Sequence, residues 1–246
     1  MRLEPQLHNP FGVGFWAKIE HIVSGRTIRR VLKPLVFAAS LAPIALILWD
    51  VFNRPAETIY LNGIVRSTGD WSLRFLCIAL AITPVRWLTC WHSLIRFRRM
   101  MGLFGFFYGV VHTAAYVFFD RFAGLDAAVR AHFLDAAATT LSAIGVDLLR
   151  PFFAIGFLAL ILIVPLAATS TAGMIRWMGG RRWQALHRLA YPAAVASVLH
   201  TYWPLTLRLP RYEVILAFIF ILRIGRAYAY RRARTEMSPQ RTLLAR

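Results

Sequence analysis

The sequence predicts an all-α integral membrane protein, a bundle of six transmembrane helices, and three observations lead there. The chain of 246 residues is 58% apolar and only 16% charged, with a mean hydropathy of +0.54, well above the apolar share of soluble domains. Six apolar stretches of roughly 18 to 20 residues, the length that spans a bilayer, are separated by clusters of arginine. None shows the alternating pattern of a barrel strand, so helix is the state that pairs each backbone N–H within its own segment in hydrocarbon. A formal net charge of +18 would suit a nucleic-acid binder, but such proteins gather their charge on one polar face. Here the basic residues punctuate membrane-length runs, so the excess is read as topology and no nucleic-acid partner is expected.

Residues 1–33 form a cytoplasmic N-terminal segment. Phe11, Phe15, Trp16, Ile19 and Ile22 recur at helical spacing beside Lys18 and Arg26, which suits a short helix lying in the interface; an unstructured tail is the competing reading. The Arg29-Arg30 pair ahead of the first run raises a cleaved signal, but the run is too long and lacks a small-residue cleavage site, so a retained helix is expected. The main body of the chain is a transmembrane domain over 34–230, with spans at about 34–52, 71–88, 101–119, 152–169, 187–203 and 212–230. A basic cytoplasmic tail follows at 231–246. The longest connection, 120–150, carries Val129, Phe133, Ala136 and Ala137 as the apolar side of a further surface helix. With alternate connections assigned to opposite sides, 21 of the 29 Lys and Arg residues fall with the termini. Both termini are therefore expected in the cytoplasm.

Three of the seven histidines, His112, His187 and His200, lie inside these runs, where a polar side chain is costly and so points to function. Counted from Arg99 and Arg182 at about 1.5 Å per residue, His112 and His200 sit roughly 20 and 27 Å from the cytoplasmic boundary, and His187 about 7 Å. His112 and His200 are level enough to share one metal. Two imidazoles in a dry helical bundle are the ligand set of a b-type haem; zinc would want three or four ligands that cannot be assembled. Cys77 and Cys90 form no CxxCH motif for covalent haem attachment. His187 and His200 are separated by about 20 Å of rise but by roughly 140° around an ideal helix, with Pro192 between them as the potential kink.

The runs Ile82-Thr83-Pro84, Arg98-Arg99-Met100-Met101-Gly102-Leu103, His112-Thr113-Ala114-Ala115-Tyr116, Arg150-Pro151-Phe152, Thr169-Ser170-Thr171, Arg182-Trp183-Gln184-Ala185-Leu186-His187-Arg188-Leu189-Ala190-Tyr191 and His200-Thr201-Tyr202-Trp203 together resemble the MsrQ family. These are haem-binding membrane subunits of periplasmic methionine sulfoxide reductase systems, within the ferric-reductase-like transmembrane superfamily. The resemblance covers about residues 34–234. It implies a six-helix bundle of the ferric-reductase-like type in a bacterial inner membrane, with b haem and in some accounts flavin mononucleotide (FMN). Electrons would pass outward to an MsrP-like periplasmic molybdopterin reductase from the quinone pool or a cytoplasmic flavin reductase. His112, His187 and His200 match the family's haem-histidine positions. The long N-terminal extension and the longer 120–150 connection depart from the pattern.

The wider superfamily commonly places two histidines on each of two helices for two haems, but the position 14 residues before His112 is Arg98. One haem is thus expected, and a second, inner haem on His187 would need a ligand such as His92 or Met100. Haem propionates favour cationic neighbours. Arg74 is the outer candidate, standing where the positive-inside rule asks for no charge, and Arg96, Arg99, Arg181 and Arg182 are the inner ones. No Gly-rich nucleotide fingerprint follows the last run, so electrons are expected from a separate donor. A transmembrane ferric or cupric reductase is the alternative with the same cofactor. A haem-free transporter or scaffold is the alternative of another class, for which the sequence shows no broken helix with midplane charges.

Overall fold

Apolar runs free of turn residues wind into long helices. The computed structural model describes residues 25–53, 61–89, 91–123, 125, 132–202, 215, 217–222 and 225, and every regular element among them is helical. α1 covers Gly25–Asn53, with a π-type turn over Ile28–Leu32. α2 is Leu61–Thr89. α3 runs through His92–Phe122, opening in a 3-10 turn and closing in a π-type stretch, Tyr116–Phe122. α4 is Phe133–Leu148 and α5 is Pro151–Ala168, with Pro151 in the first turn, where its missing N–H costs nothing. Two short helices, α6 (Ala172–Met178) and α7 (Gly180–Leu186), meet at Gly179, whose φ of 74° suits glycine. A 3-10 turn at His187–Leu189 leads into α8, Ala190–Tyr202.

Among the described residues, four helices, α1, α2, α3 and α5, are long and apolar enough to cross a membrane. α1 starts nine residues before the expected span and α2 ten, because a helix can run on past the hydrocarbon with its backbone bonds intact. The fifth apolar run differs from expectation. His187 sits in the 3-10 turn ahead of α8 rather than on one continuous helix with His200, so the ideal-helix angle between the two does not apply. The interfacial pattern at 11–22, Val129 and most of the sixth run lie outside the described residues. Residues 215, 217–222 and 225, in a separate compact unit (Leu209–Arg246), are helical.

α2 and α3 pack closely along their length. Gly105 permits this: a Cβ there would stand 3.3 Å from the backbone nitrogen of Leu76, and Ser72 Oγ donates to the Gly105 carbonyl at 2.8 Å. Phe75 stacks on Tyr108, with ring centroids 5.3 Å apart, in the core they share with Ile82, Phe97 and Phe104. The fully buried Tyr108 docks α1. Its hydroxyl donates to the Ser40 carbonyl at 2.9 Å and accepts from the Ile44 amide at 3.1 Å, so it is inserted between two backbone groups that an uninterrupted helix would pair with each other. Tyr108→Phe is expected to destabilise the detergent-solubilised protein by about 1–3 kcal/mol, read as a lower midpoint in thermal unfolding, because both backbone groups lose their hydroxyl partner.

The 120–150 connection does hold a helix, α4, but its buried side differs from the expected one. Ala136, Thr140 and Asp147 turn inward while Phe133 is exposed, since small residues allow close approach to the π-type end of α3 and to α5. Asp147 anchors that contact: its carboxylate accepts from the Tyr116 hydroxyl and pairs with Arg121, whose Nε also donates to Tyr116 at 3.0 Å. Arg150 stands 3.8 Å from the other carboxylate oxygen. Asp147 is buried while Arg121 keeps some contact with solvent, so Asp147→Ala is expected to cost about 1–3 kcal/mol, chiefly because the Tyr116 hydroxyl loses its buried acceptor. Proteolysis within 120–150 should report it as faster cleavage.

Candidate functional site

α2, α3, α5 and α8 line a half-open cavity of about 360 Å³, within the range of cofactor sites. Its walls are mainly apolar, including Leu73, Phe153, Phe157, Leu160 and Ile163, while Arg66, Asp70, Tyr116 and Asp120 supply polar groups. His112 enters from α3 and His200 from α8.

The two imidazoles are held by the same local device. His112 Nδ1 lies 2.7 Å from the Val65 carbonyl and His200 Nδ1 2.8 Å from the Phe152 carbonyl. A carbonyl can only accept, so each Nδ1 carries the proton and each Nε2 keeps its lone pair for a metal. Four residues beyond each carbonyl is a glycine on the same helix face. A Cβ on Gly69 would stand 3.0 Å from His112 Nδ1, and one on Gly156 would stand 2.7 Å from His200 Nδ1 and Cε1. The rings occupy the space that these glycines leave open. His200 also stacks on Phe152, with centroids 4.2 Å apart and planes at 16°.

The His112 and His200 centroids are 6.1 Å apart, with ring planes at 75°. Two metal–imidazole bonds of about 2 Å each, with the ring radii added, require about that separation. Among the described residues, no group of three or more His, Cys, Asp or Glu comes together to hold a metal ion. Two imidazoles and an apolar cavity thus fit a planar metal-centred cofactor that supplies the remaining ligands itself.

His187 is elsewhere. Its Nδ1 lies 3.1 Å from the Trp183 carbonyl and its ring stacks on the Trp183 indole at 3.8 Å. Of the other ligands considered for His187, His92 is exposed and Met100 packs against the α2–α3 core.

The arginines also separate. Arg74 lies over the Trp71 ring at 4.5 Å and does not line the cavity. Arg99 and Arg182 are exposed and outside the lining. The cation that does line it is Arg66, which sequence reasoning passed over. The helical repeat accounts for this: Val65, Gly69 and Ser72 mark the cavity face of α2, Arg66 lies at its margin three residues before Gly69, and Arg74 points some 200° away from Ser72. Gly69 and Gly156 were also missed, and the i, i+4 spacing from a bonding carbonyl is visible only once the pairing of helices is known.

Comparison with known proteins shows the family. The family model for the ferric reductase like transmembrane component matches residues 68–198, just over half of the chain. A protein of Herminiimonas arsenicoxydans named as the haem-binding subunit MsrQ of protein-methionine-sulfoxide reductase is 40% identical over 173 residues, covering 70% of this chain and 72% of that protein. The protein of the same name from Ralstonia nicotianae is 48% identical over 143 residues, 58% of this chain and 59% of its own. That from Xanthomonas oryzae pv. oryzae is 40% identical over 223 residues, 86% of this chain and 95% of its own. Membrane-length helices, a four-helix cavity with two facing histidines, and relatives matched over most of their length converge: the chain belongs to the MsrQ family of ferric-reductase-like transmembrane proteins.

Proposed function

We propose that the chain is the haem-binding electron-transfer subunit of a methionine sulfoxide reductase system, with one b-type haem held between His112 and His200. The observation that carries this reading is the pair of imidazoles 6.1 Å apart, each with its Nδ1 committed to a backbone carbonyl. A haem with two protein ligands supplies a one-electron carrier with no open position for substrate. The protein's part is to hold the imidazoles in one tautomer, to keep the site dry with Leu73, Phe157 and Leu160, and to place Arg66 where a propionate could pair with it. Haem binding by the MsrQ relatives named above supports the assignment.

The finer reading has six spans in a bacterial inner membrane with both termini cytoplasmic, His112 and His200 toward the outer side and His187 toward the inner. Electrons enter from the quinone pool or a cytoplasmic flavin reductase and leave to an MsrP-like periplasmic reductase that docks over the 120–150 connection near His132 and over 204–211, the latter outside the described residues. FMN is carried by the resemblance alone, and a second, inner haem on His187 would need a ligand other than the exposed His92 or the core-packed Met100. Reporter fusions at 90–100, 176–182 and the C-terminus are expected to read as cytoplasmic, and a cytoplasmic 120–150 segment would overturn the orientation.

The functional test is reoxidation. Chemically reduced, haem-loaded protein should reoxidise when both an MsrP-type reductase and a methionine sulfoxide substrate are added, and not with the substrate alone. Equally fast reoxidation by a ferric or cupric chelate without the reductase would favour a metal reductase. Protein purified with no Soret band would favour a haem-free transporter or scaffold.

A further inference from the structure

The exposed side of α4 carries a pattern that the proposed electron path does not use. Leu134, Leu141 and Leu148 recur every seven residues, so they share one face, and they are 79%, 69% and 44% exposed. Asp135, Thr139 and Ser142, also exposed, lie about 100 to 160° away round the helix from Leu141. A third side, Ala136, Thr140 and Asp147, is buried. The helix thus has one face for protein, one leucine face and one mainly polar face, on which Val146 is the exposed apolar exception.

We propose that α4 lies in the membrane interface, with Leu134, Leu141 and Leu148 seated in the headgroup–acyl boundary of the leaflet at which α5 begins. Position along the chain commits the surface to lipid. Only Leu149 and Arg150 separate α4 from the membrane-length α5, whose Leu158, Ile161 and Val164 are themselves exposed along the bundle's side. The exposed apolar residues of α5 begin at Leu158, about 10 Å along its axis from Pro151, so the leucine face of α4 lies within about two helical turns of a surface of membrane character. Its 16 residues reach about 24 Å, short of the roughly 30 Å hydrocarbon core, so α4 does not cross. An apolar stripe beside a polar one is what an interfacial helix needs. Arg150, 65% exposed at its side chain, stands at the junction where a basic side chain meets lipid phosphate. Through Asp147 and Tyr116 this seat would fix the end of α3 that lines the cavity.

The test uses the full, haem-loaded chain at one copy per lipid nanodisc of phosphatidylethanolamine and phosphatidylglycerol. Nitroxide labels are placed by Leu134→Cys, Leu141→Cys, Thr139→Cys and Ser142→Cys, with the unsubstituted chain as the background for Cys77 and Cys90. Labels at 134 and 141 are expected to collide several-fold more with oxygen, relative to a water-soluble nickel chelate, than labels at 139 and 142. Equal chelate access at all four positions overturns the proposal. So does protection of 134 and 141 that appears only with two copies per disc, which would make the face a dimer contact, or only after a soluble protein partner is added. Failure of these arms leaves haem binding untouched, since the absorption spectrum of the same samples reports it separately.

Discussion

Gly156→Ala is expected to yield a folded protein that retains haem about 10- to 100-fold more weakly than the unsubstituted chain, the usual cost of disturbing the groups that orient a metal ligand. The added methyl would stand 2.7 Å from His200 Nδ1 and Cε1, closer than carbon approaches a ring without displacement. The ring has little room to yield, being bonded to the Phe152 carbonyl at 2.8 Å and stacked on the Phe152 ring. Alanine at a helix-interior position is itself favourable by roughly 0.5–1 kcal/mol over glycine. That gain opposes the cost of the clash, so haem should be lost out of proportion to any change in apoprotein stability, which separates a positioning effect from misfolding. Gly69→Ala should act in the same sense but less strongly, since its Cβ would reach 3.0 Å from His112 Nδ1. Gly102→Ala, on the same helix as His112 and with nothing within 4 Å of its Cβ, should leave haem retention unaltered. Haem per chain after gel filtration, measured across the three variants, checks the ordering.

Composition and charge placement made the helical membrane class legible, because hydrocarbon admits few alternatives to helix for runs of that length. The pairing of His112 with His200 was legible through depth alone: a rise of about 1.5 Å per residue carries from the basic boundary into the membrane without knowledge of which helices touch. Helix ends were less so. α1 and α2 extend into polar sequence, and the fifth run breaks into a 3-10 turn at His187, since apolar length records the membrane and not the hydrogen-bond ladder. Side-chain direction was the least accessible. Arg74 attracted notice by its charge on an unexpected side, yet its rotation about α2 carries it to Trp71 while Arg66 reaches the cavity. In α4 the expected apolar side joins Phe133 to Ala136, whereas Ala136 packs inward and Phe133 stays outside with the leucines. Each of these depends on which neighbour a helix face meets.

The central claim is that one haem is held by His112 and His200 and that His187 is no part of that ligand set. Its most direct test is the reduced-minus-oxidised spectrum, with haem quantified per chain, of His112→Ala, His200→Ala and His187→Ala. Deleting either member of the facing pair leaves the iron with one protein ligand, so the first two variants should lose most of their haem and any residue should be five-coordinate and high-spin. His187→Ala should retain the six-coordinate low-spin spectrum of that haem, because the His187 ring sits against Trp183 outside the cavity. Full retention of six-coordinate haem in both His112→Ala and His200→Ala would contradict the account.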